Sequence, residues 1–218
     1  MRLAKTHFPV TVLGPGRRVG IWFQGCSIGC HGCVARDTWE HDDRFEIPVA
    51  SVVRWCRTVA DGPVDGVTVS GGEPFEQPQA LEALLHELRR WDSLRRKQGW
   101  PPLDLLCYSG LPWRRLQRDH ADLLTQLDAI IPEPFREEVE APSAWRGSGN
   151  QPLVALTELG RERYTPDVDA EIPAPSVQVS VEAERVWMIG IPQRGDLVAF
   201  ERHAEDRGLM VEEVSWRA

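Results

Sequence analysis

Short apolar runs, many of them β-branched, alternate along the chain with segments whose apolar positions recur at helical spacing. That is the pattern of an α/β fold built on parallel strands. Residues 19–23, 67–70, 103–108 and 129–131 read as core strands, with a fifth at 153–156. Helices are expected over 48–60, 79–96 and 196–207, and one or two short ones within 112–127. In the longest of them Leu81, Leu84, Leu85, Leu88 and Trp91 share one face, the stripe of a helix that packs on a core. Residues 177–181 and 186–189 read as a pair of strands around a turn at 182–184, and 210–214 as a last strand. The polar, proline-rich stretch from 132 to about 144 reads as a connection, and 165–175, rich in Pro, Asp and Glu, as an exposed loop. No repeat or linker divides the chain, so residues 1–218 are expected to form a single domain.

The chemistry sits where strands end. Directly after 19–23 comes Gly25-Cys-Ser-Ile-Gly-Cys-His-Gly-Cys33, in which Cys26, Cys30 and Cys33 are spaced C-x3-C-x2-C. Three thiolates this close can hold one metal centre, but they are one short of the four that close a 4Fe–4S cluster or a structural zinc. A cluster on three cysteines leaves one iron open to a small molecule. A zinc site completed by His31 stays open as an alternative. A disulfide pair fits poorly with an odd triplet. Directly after 67–70 comes Gly71-Gly72-Glu73-Pro74. Two glycines let a backbone approach a ligand closely, Glu73 offers an acceptor for an ammonium group, and Pro74 stops the strand. An ordinary strand-to-helix turn, with Glu73 near a helix N-terminus, would use the same residues. Ser109-Gly110 ends a third strand. Ligands bind at the carboxyl ends of strands in parallel barrels and open α/β sheets, so three such motifs would share one pocket.

Composition narrows the setting. The net charge is −8 and no basic stretch is long or interleaved with aromatics, so nucleic acid is not an expected partner. Lys5 and Lys97 are the only lysines among 25 basic residues. No run of about eighteen apolar residues suggests a membrane span. The N-terminus has no apolar signal-peptide core, and clustered reduced thiols fit a cytoplasmic protein. Cys56 and Cys107, far from the triplet, read as small buried hydrophobes, which leaves too few cysteines for a second cluster.

The triplet followed about forty residues later by Gly71-Gly-Glu-Pro74 resembles the radical S-adenosylmethionine superfamily. The resemblance implies a shortened partial (β/α) barrel of about six mostly parallel strands. It implies a 4Fe–4S cluster on Cys26, Cys30 and Cys33, and S-adenosylmethionine chelated to the open iron, its amino end cradled by Gly71, Gly72, Glu73 and Pro74. Gln24-Gly-Cys26, Gly32-Cys33, Thr38-Trp39 and Trp145-Arg-Gly-Ser-Gly-Asn-Gln151 are similar to the small activating enzymes of anaerobic ribonucleotide reductase. Met188-Ile-Gly-Ile-Pro192 resembles a late segment of that group, so the likeness is expected to run from about Val10 to Leu209. It implies that Ser109, Arg146, Ser148 and Asn150 line the cofactor pocket and that 190–192 approach the adenine.

The activity implied is reductive cleavage of S-adenosylmethionine to a 5′-deoxyadenosyl radical that abstracts hydrogen. The implied partners are a glycyl-radical enzyme, as protein substrate, and an external electron donor. Radical modification of a peptide or small molecule is the rival, and a non-catalytic iron–sulfur or zinc protein the third possibility. Gly32 stands where many members of the superfamily carry an aromatic. The chain is longer than minimal activases, with the extra length expected in 87–102, 136–144 and 161–175.

Overall fold

The computed structural model describes residues 1–60, 62–140, 145–164, 177–182, 185–192, 195–208 and 214–216. Its centre is a mixed six-stranded sheet in the order β1-β2-β3-β4-β5-β6. The four inner strands are β2 (Arg18–Phe23), β3 (Gly66–Gly71), β4 (Asp104–Tyr108) and β5 (Ala129–Ile131), and they run parallel. At the edges β1 (Leu3–Val10) pairs antiparallel with β2, and β6 (Val154–Ala155) antiparallel with β5.

The helices between the parallel strands are α1 (Val49–Val59), α2 (Pro78–Lys97), α3 (Trp113–Asp119) and α4 (Ala121–Leu124). The side-chain period of a strand is two, so each inner strand offers one set of residues to the helices and one to the other face. Val19, Ile21 and Phe23 of β2, Val67 and Val69 of β3, and Leu105 and Cys107 of β4 form the helix-side core. They meet Val52, Val53 and Cys56 of α1 and Leu81, Leu84, Leu85, Leu88 and Trp91 of α2. Both isolated cysteines, Cys56 and Cys107, are fully buried there, as their apolar neighbours in sequence suggested.

The opposite face changes character along the strands. At their amino ends lies a buried polar lock. Arg18 donates to both carboxylate oxygens of Asp104, at 3.0 and 2.6 Å, and to Thr68 Oγ1 at 2.7 Å. Arg163 Nη1 reaches Asp104 Oδ2 at 2.6 Å, and the Tyr164 hydroxyl donates to Oδ1. Both belong to α5 (Glu158–Tyr164), so Asp104 fastens that helix beneath the sheet. Burial alone would push the Asp104 carboxyl up; Arg18 and the donated hydrogen bonds outweigh it and hold the pKa below its usual value. Asp104→Ala would leave Arg18 buried without its anion, and is expected to cost about 3–5 kcal/mol in urea unfolding. A loss below about 1 kcal/mol would show that water enters and solvates Arg18.

After α5, β7 (Val177–Glu182) and β8 (Arg185–Gly190) form a separate antiparallel pair, followed by α6 (Asp196–Glu205). The expected elements are present within a residue or two, with five differences, the first being α5, where no element was expected. β1 was not foreseen: Pro9 argues against a strand, but β1 has a neighbour on one side only, where proline is tolerated. The fifth expected strand shrinks to two residues and runs antiparallel. The expected loop 165–175 and most of the expected strand 210–214 lie outside the described residues, and Val214 itself is not in a strand. Of the expected turn 182–184, residues 183 and 184 also lie outside them.

Candidate functional site

The Cys-bearing loop is held by its neighbours rather than by its own regular structure. Gly25 N–H donates to Thr38 O at 2.7 Å, and Cys26 N–H to Trp39 O at 3.0 Å. Gln24, buried, donates through Nε2 to Asp37 O and Glu40 O at 3.1 and 2.9 Å. Glu76 accepts from Ser27 N–H at 3.0 Å and lies 3.4 Å from His41 Nε2. Gly25, Gly29 and Gly32 all have positive φ, which lets the chain turn directly before each cysteine.

The loop and the Gly-Gly-Glu-Pro turn are clasped directly. Gly72 N–H donates to Phe23 O and Glu73 N–H to Gly25 O, both at 2.8 Å. A Cβ on Gly72 would collide with the Gly25 carbonyl oxygen, and one on Gly71 with the Phe23 backbone. The sequence argument for these glycines was close approach to a ligand. The structure supplies a different cause, close approach of two strand ends to each other.

Glu73 also has a role that the sequence did not show. It is fully buried and accepts from Phe75 N–H at 2.9 Å, Ser109 Oγ at 2.9 Å and Gly110 N–H at 2.7 Å. It thus caps the 3-10 turn Pro74–Glu76, with Pro74 in the first turn position, and ties the end of β3 to the end of β4. Burial pushes its carboxyl up to about 7, against the hydrogen bonds that hold it down. Between the ordinary carboxyl value and about 7 the folded chain therefore keeps a proton that the unfolded chain has lost. This group's contribution to stability is complete below the lower value and declines as pH rises through the upper one. Urea midpoints of the metal-free protein across pH 5–8 should show that decline, and Glu73→Gln should flatten it. Equal slopes in parent and variant would show that Glu73 does not titrate there.

The three motifs do open on one cleft. Cys26, Cys30, Cys33, Ser70, Gly71, Gly72, Glu73, Tyr108, Ser109 and Gly110 line it. Its remaining walls include Lys5, Trp22, Phe135, Gly147, Gln151, the run Met188–Pro192 and Ser215. The triplet cysteines are free and half-buried. Burial raises the Cys26 thiol to about 11 and also pushes Cys30 up, so these two are held as thiols in the bare loop, and bound cations would be what turns them into thiolates. Among the described residues no three His, Cys, Asp or Glu side chains converge on a single-ion position. His31 lies 3.0 Å from Glu137 with its side chain 91% exposed.

Of the 146–151 segment, Gly147 and Gln151 reach the cleft wall. Ser148 is fully buried and donates to Asn150 Oδ1 at 2.8 Å, while Asn150 donates to Pro134 O at 2.9 Å. Gln151 donates to Glu133 O at 2.8 Å. Ser148 and Asn150 therefore stand behind the wall and shape it, and Arg146 is half-buried beside them. Ser109 lines the cleft, its hydroxyl donated to Glu73. Glu76 was not singled out from sequence, and no place in the cleft was expected for Gln24 or Lys5. For Glu76 a signal existed: it is three residues after Glu73, in the turn that the proline opens.

Residues 12–154 match the family described as the 4Fe-4S single cluster domain, and the chain belongs to that family. The relatives it resembles include several named anaerobic ribonucleoside-triphosphate reductase-activating protein. The one from Haemophilus influenzae is 29% identical over 153 residues, 66% of this chain and 92% of that protein. The one from Enterobacteria phage T4 is 28% identical over 147 residues, 67% of this chain and 89% of that protein. The one from Escherichia coli K12 is 26% identical over 149 residues, 66% of this chain and 93% of that protein. The match ends at residue 154, so the expected likeness at Met188–Pro192 lies outside it. About 150 aligned residues nearly exhaust each relative. Much of the additional length of this chain therefore lies outside the matched stretch.

Proposed function

We propose that this chain is a radical S-adenosylmethionine enzyme of the activase type, which generates a glycyl radical on a partner enzyme. Cys26, Cys30 and Cys33 would hold its 4Fe–4S cluster. Bound together, cluster and S-adenosylmethionine supply one-electron reductive cleavage that ends in abstraction of a hydrogen atom, with the electron coming from an external donor.

The observation that carries this reading is the clasp from Gly72 and Glu73 to Phe23 and Gly25, which sets a cysteine triplet and a glycine turn side by side in one cleft. The protein's own task is to bind, orient and exclude. The backbone of Gly71 and Gly72 would face the amino end of the cofactor, with Glu73 and Pro74 fixing the turn. Ser109 would hold Glu73 in place, and Arg146, Ser148 and Asn150 would shape the wall from behind.

The same reading takes residues 1–218 as one domain and the sheet as a shortened partial barrel. Helices between the parallel strands on one face, with a cleft at the strand carboxyl ends, support it. It places the protein in the cytoplasm, where five free cysteines stay reduced. Among the described residues no helix is long and apolar enough to cross a membrane.

One observation favours a second reading, radical modification of a peptide or small molecule. Met188–Pro192 and Ser215, beyond the family match, form part of the cleft wall, so part of this cleft is built by residues outside the matched stretch.

The test is the anaerobically reconstituted protein with S-adenosylmethionine and a strong reductant. Slow release of 5′-deoxyadenosine and methionine is expected without a partner. With the right partner, one deoxyadenosine should form per glycine-centred radical seen by electron paramagnetic resonance. A cluster-loaded protein that forms no deoxyadenosine would overturn the reading. Many turnovers with no stored radical would transfer it to a peptide or small molecule.

A further inference from the structure

Among the described lining residues of the cleft Lys5 is the sole lysine or arginine, in a chain with 25 basic residues of which two are lysine. Lys5 stands on β1 opposite Trp22 of β2. Its Nζ lies 6.0 Å from the Trp22 ring centroid and 4.8 Å from that of Trp187 on β8. Rings at this range hold an ammonium in place without neutralising it.

The acid on the other side does little more. Asp37 Oδ2 is 3.9 Å away, and the Asp37 side chain is 44% exposed against 21% for Lys5. A pair that long and that wet is weak. Burial lowers the Lys5 pKa in spite of Asp37. The carboxylate in the cleft wall, Glu73, already accepts from Phe75, Ser109 and Gly110.

The second ring is brought there on purpose-built contacts. Gln178 of β7 accepts from Thr11 N–H at 3.1 Å and donates to Pro9 O at 2.7 Å, pinning the β7–β8 pair to the end of β1. Ile189 of β8 is buried against Val10, Leu13 and Trp22. All of these β7 and β8 residues follow residue 154, where the family match ends.

We propose that Lys5 is the carboxylate-recognising group of this cleft, and that Trp187 of the C-terminal segment positions it. A carboxylate entering beside the rings gives the ammonium the charge-assisted hydrogen bonds it lacks, in a site where water competes poorly. Two molecules could bring that carboxylate. One is the amino-acid end of S-adenosylmethionine, in which case the inference rests on the proposed function; the other is an acidic substrate.

Two lysines make the test clean. Cluster-loaded protein labelled with 13Cε-lysine should give two side-chain signals, assigned by Lys5→Met. The Lys5 signal is expected to move with S-adenosylmethionine, methionine and acetate, and not with methioninol, while Lys97 stays still. Acetate then separates the sources. If bound S-adenosylmethionine abolishes the acetate shift, its own carboxylate occupies Lys5; if the shift persists, the place belongs to a substrate carboxylate. Should S-adenosylmethionine occupy Lys5, Lys5→Met is expected to weaken its binding at least tenfold and leave its decarboxylated form unaffected, with Lys5→Arg recovering part. Trp187→Leu should shrink the ring-current offset of the Lys5 signal to the part due to Trp22 and lower its response to acetate. A Lys5 signal indifferent to every carboxylate overturns the inference, as does equal weakening of S-adenosylmethionine and its decarboxylated form by Lys5→Met. Failure of the parent to bind S-adenosylmethionine, with acetate still moving Lys5, overturns the proposed function and leaves this inference in place.

Discussion

Alanine in place of Cys26, Cys30 or Cys33 is expected to abolish the iron–sulfur absorbance of the anaerobically reconstituted protein. Cys56→Ala and Cys107→Ala are expected to keep it. The parent should hold about four irons and four sulfides per chain, the content of one cluster. The division follows from placement. The triplet cysteines are half-buried on one cleft, whereas Cys56 lies within α1 and Cys107 within β4, both fully buried in the helix-side core. Burial raises the Cys56 thiol to about 12 and pushes Cys107 well up, so neither is poised to become a metal-binding thiolate. Iron and sulfide analysis of each variant decides the matter. Retention of the cluster after loss of any triplet cysteine would mean that another residue serves as ligand. Loss of the cluster in Cys56→Ala or Cys107→Ala, with the fold retained by circular dichroism, would do the same.

How far the sequence could be read depended on range. The parallel strands and α2 were legible because their burial repeats within a few residues: Leu81, Leu84, Leu85 and Leu88 sit on one face and are fully buried. The site's residue types were legible because the cysteines and glycines fall at strand ends. What could not be read is where side chains spend their hydrogen bonds. Glu73 looks like a ligand acceptor in a four-residue motif; only the placement of Ser109 and Gly110, more than thirty residues away, shows its oxygens already engaged. Ser148 and Asn150 look like pocket residues for the same reason, and they spend their groups on each other and on Pro134. Lys5 carries no motif. Its place in the cleft depends on β1, which proline disguised, and on a tryptophan 182 residues further on. The polar lock at the far ends of the strands was equally hidden, since Arg18 and Asp104 each open what reads as an apolar strand.

Gly72→Val is expected to lose the cluster as well as the cofactor. If the glycine served only to let a ligand approach, a side chain there would block S-adenosylmethionine and leave the fold and the cluster unchanged. The geometry argues for a larger effect. A Cβ on Gly72 meets the carbonyl oxygen of Gly25, and Gly25 directly precedes the first cysteine of the triplet. That carbonyl also accepts from Glu73 N–H at 2.8 Å, while Gly72 N–H donates to Phe23 O at 2.8 Å, so the obstacle is backbone held on both sides. Relief requires the ends of β2 and β3 to part, which breaks the clasp and swings the Cys loop away from the cleft. Overpacking of this kind costs roughly 1–3 kcal/mol. Gly99→Ala supplies the control: Gly99 has a positive φ, 87°, which Gly72 does not, but nothing lies within 4 Å of its would-be Cβ, so backbone strain is the only penalty. Iron content, urea midpoint and S-adenosylmethionine binding measured on the three proteins separate the two accounts. Joint loss of stability and iron in Gly72→Val, with iron retained in Gly99→Ala, places the glycine in the clasp. A Gly72→Val protein that keeps its cluster and its midpoint but no longer binds S-adenosylmethionine would return Gly72 to the ligand and show that the two strand ends can part freely.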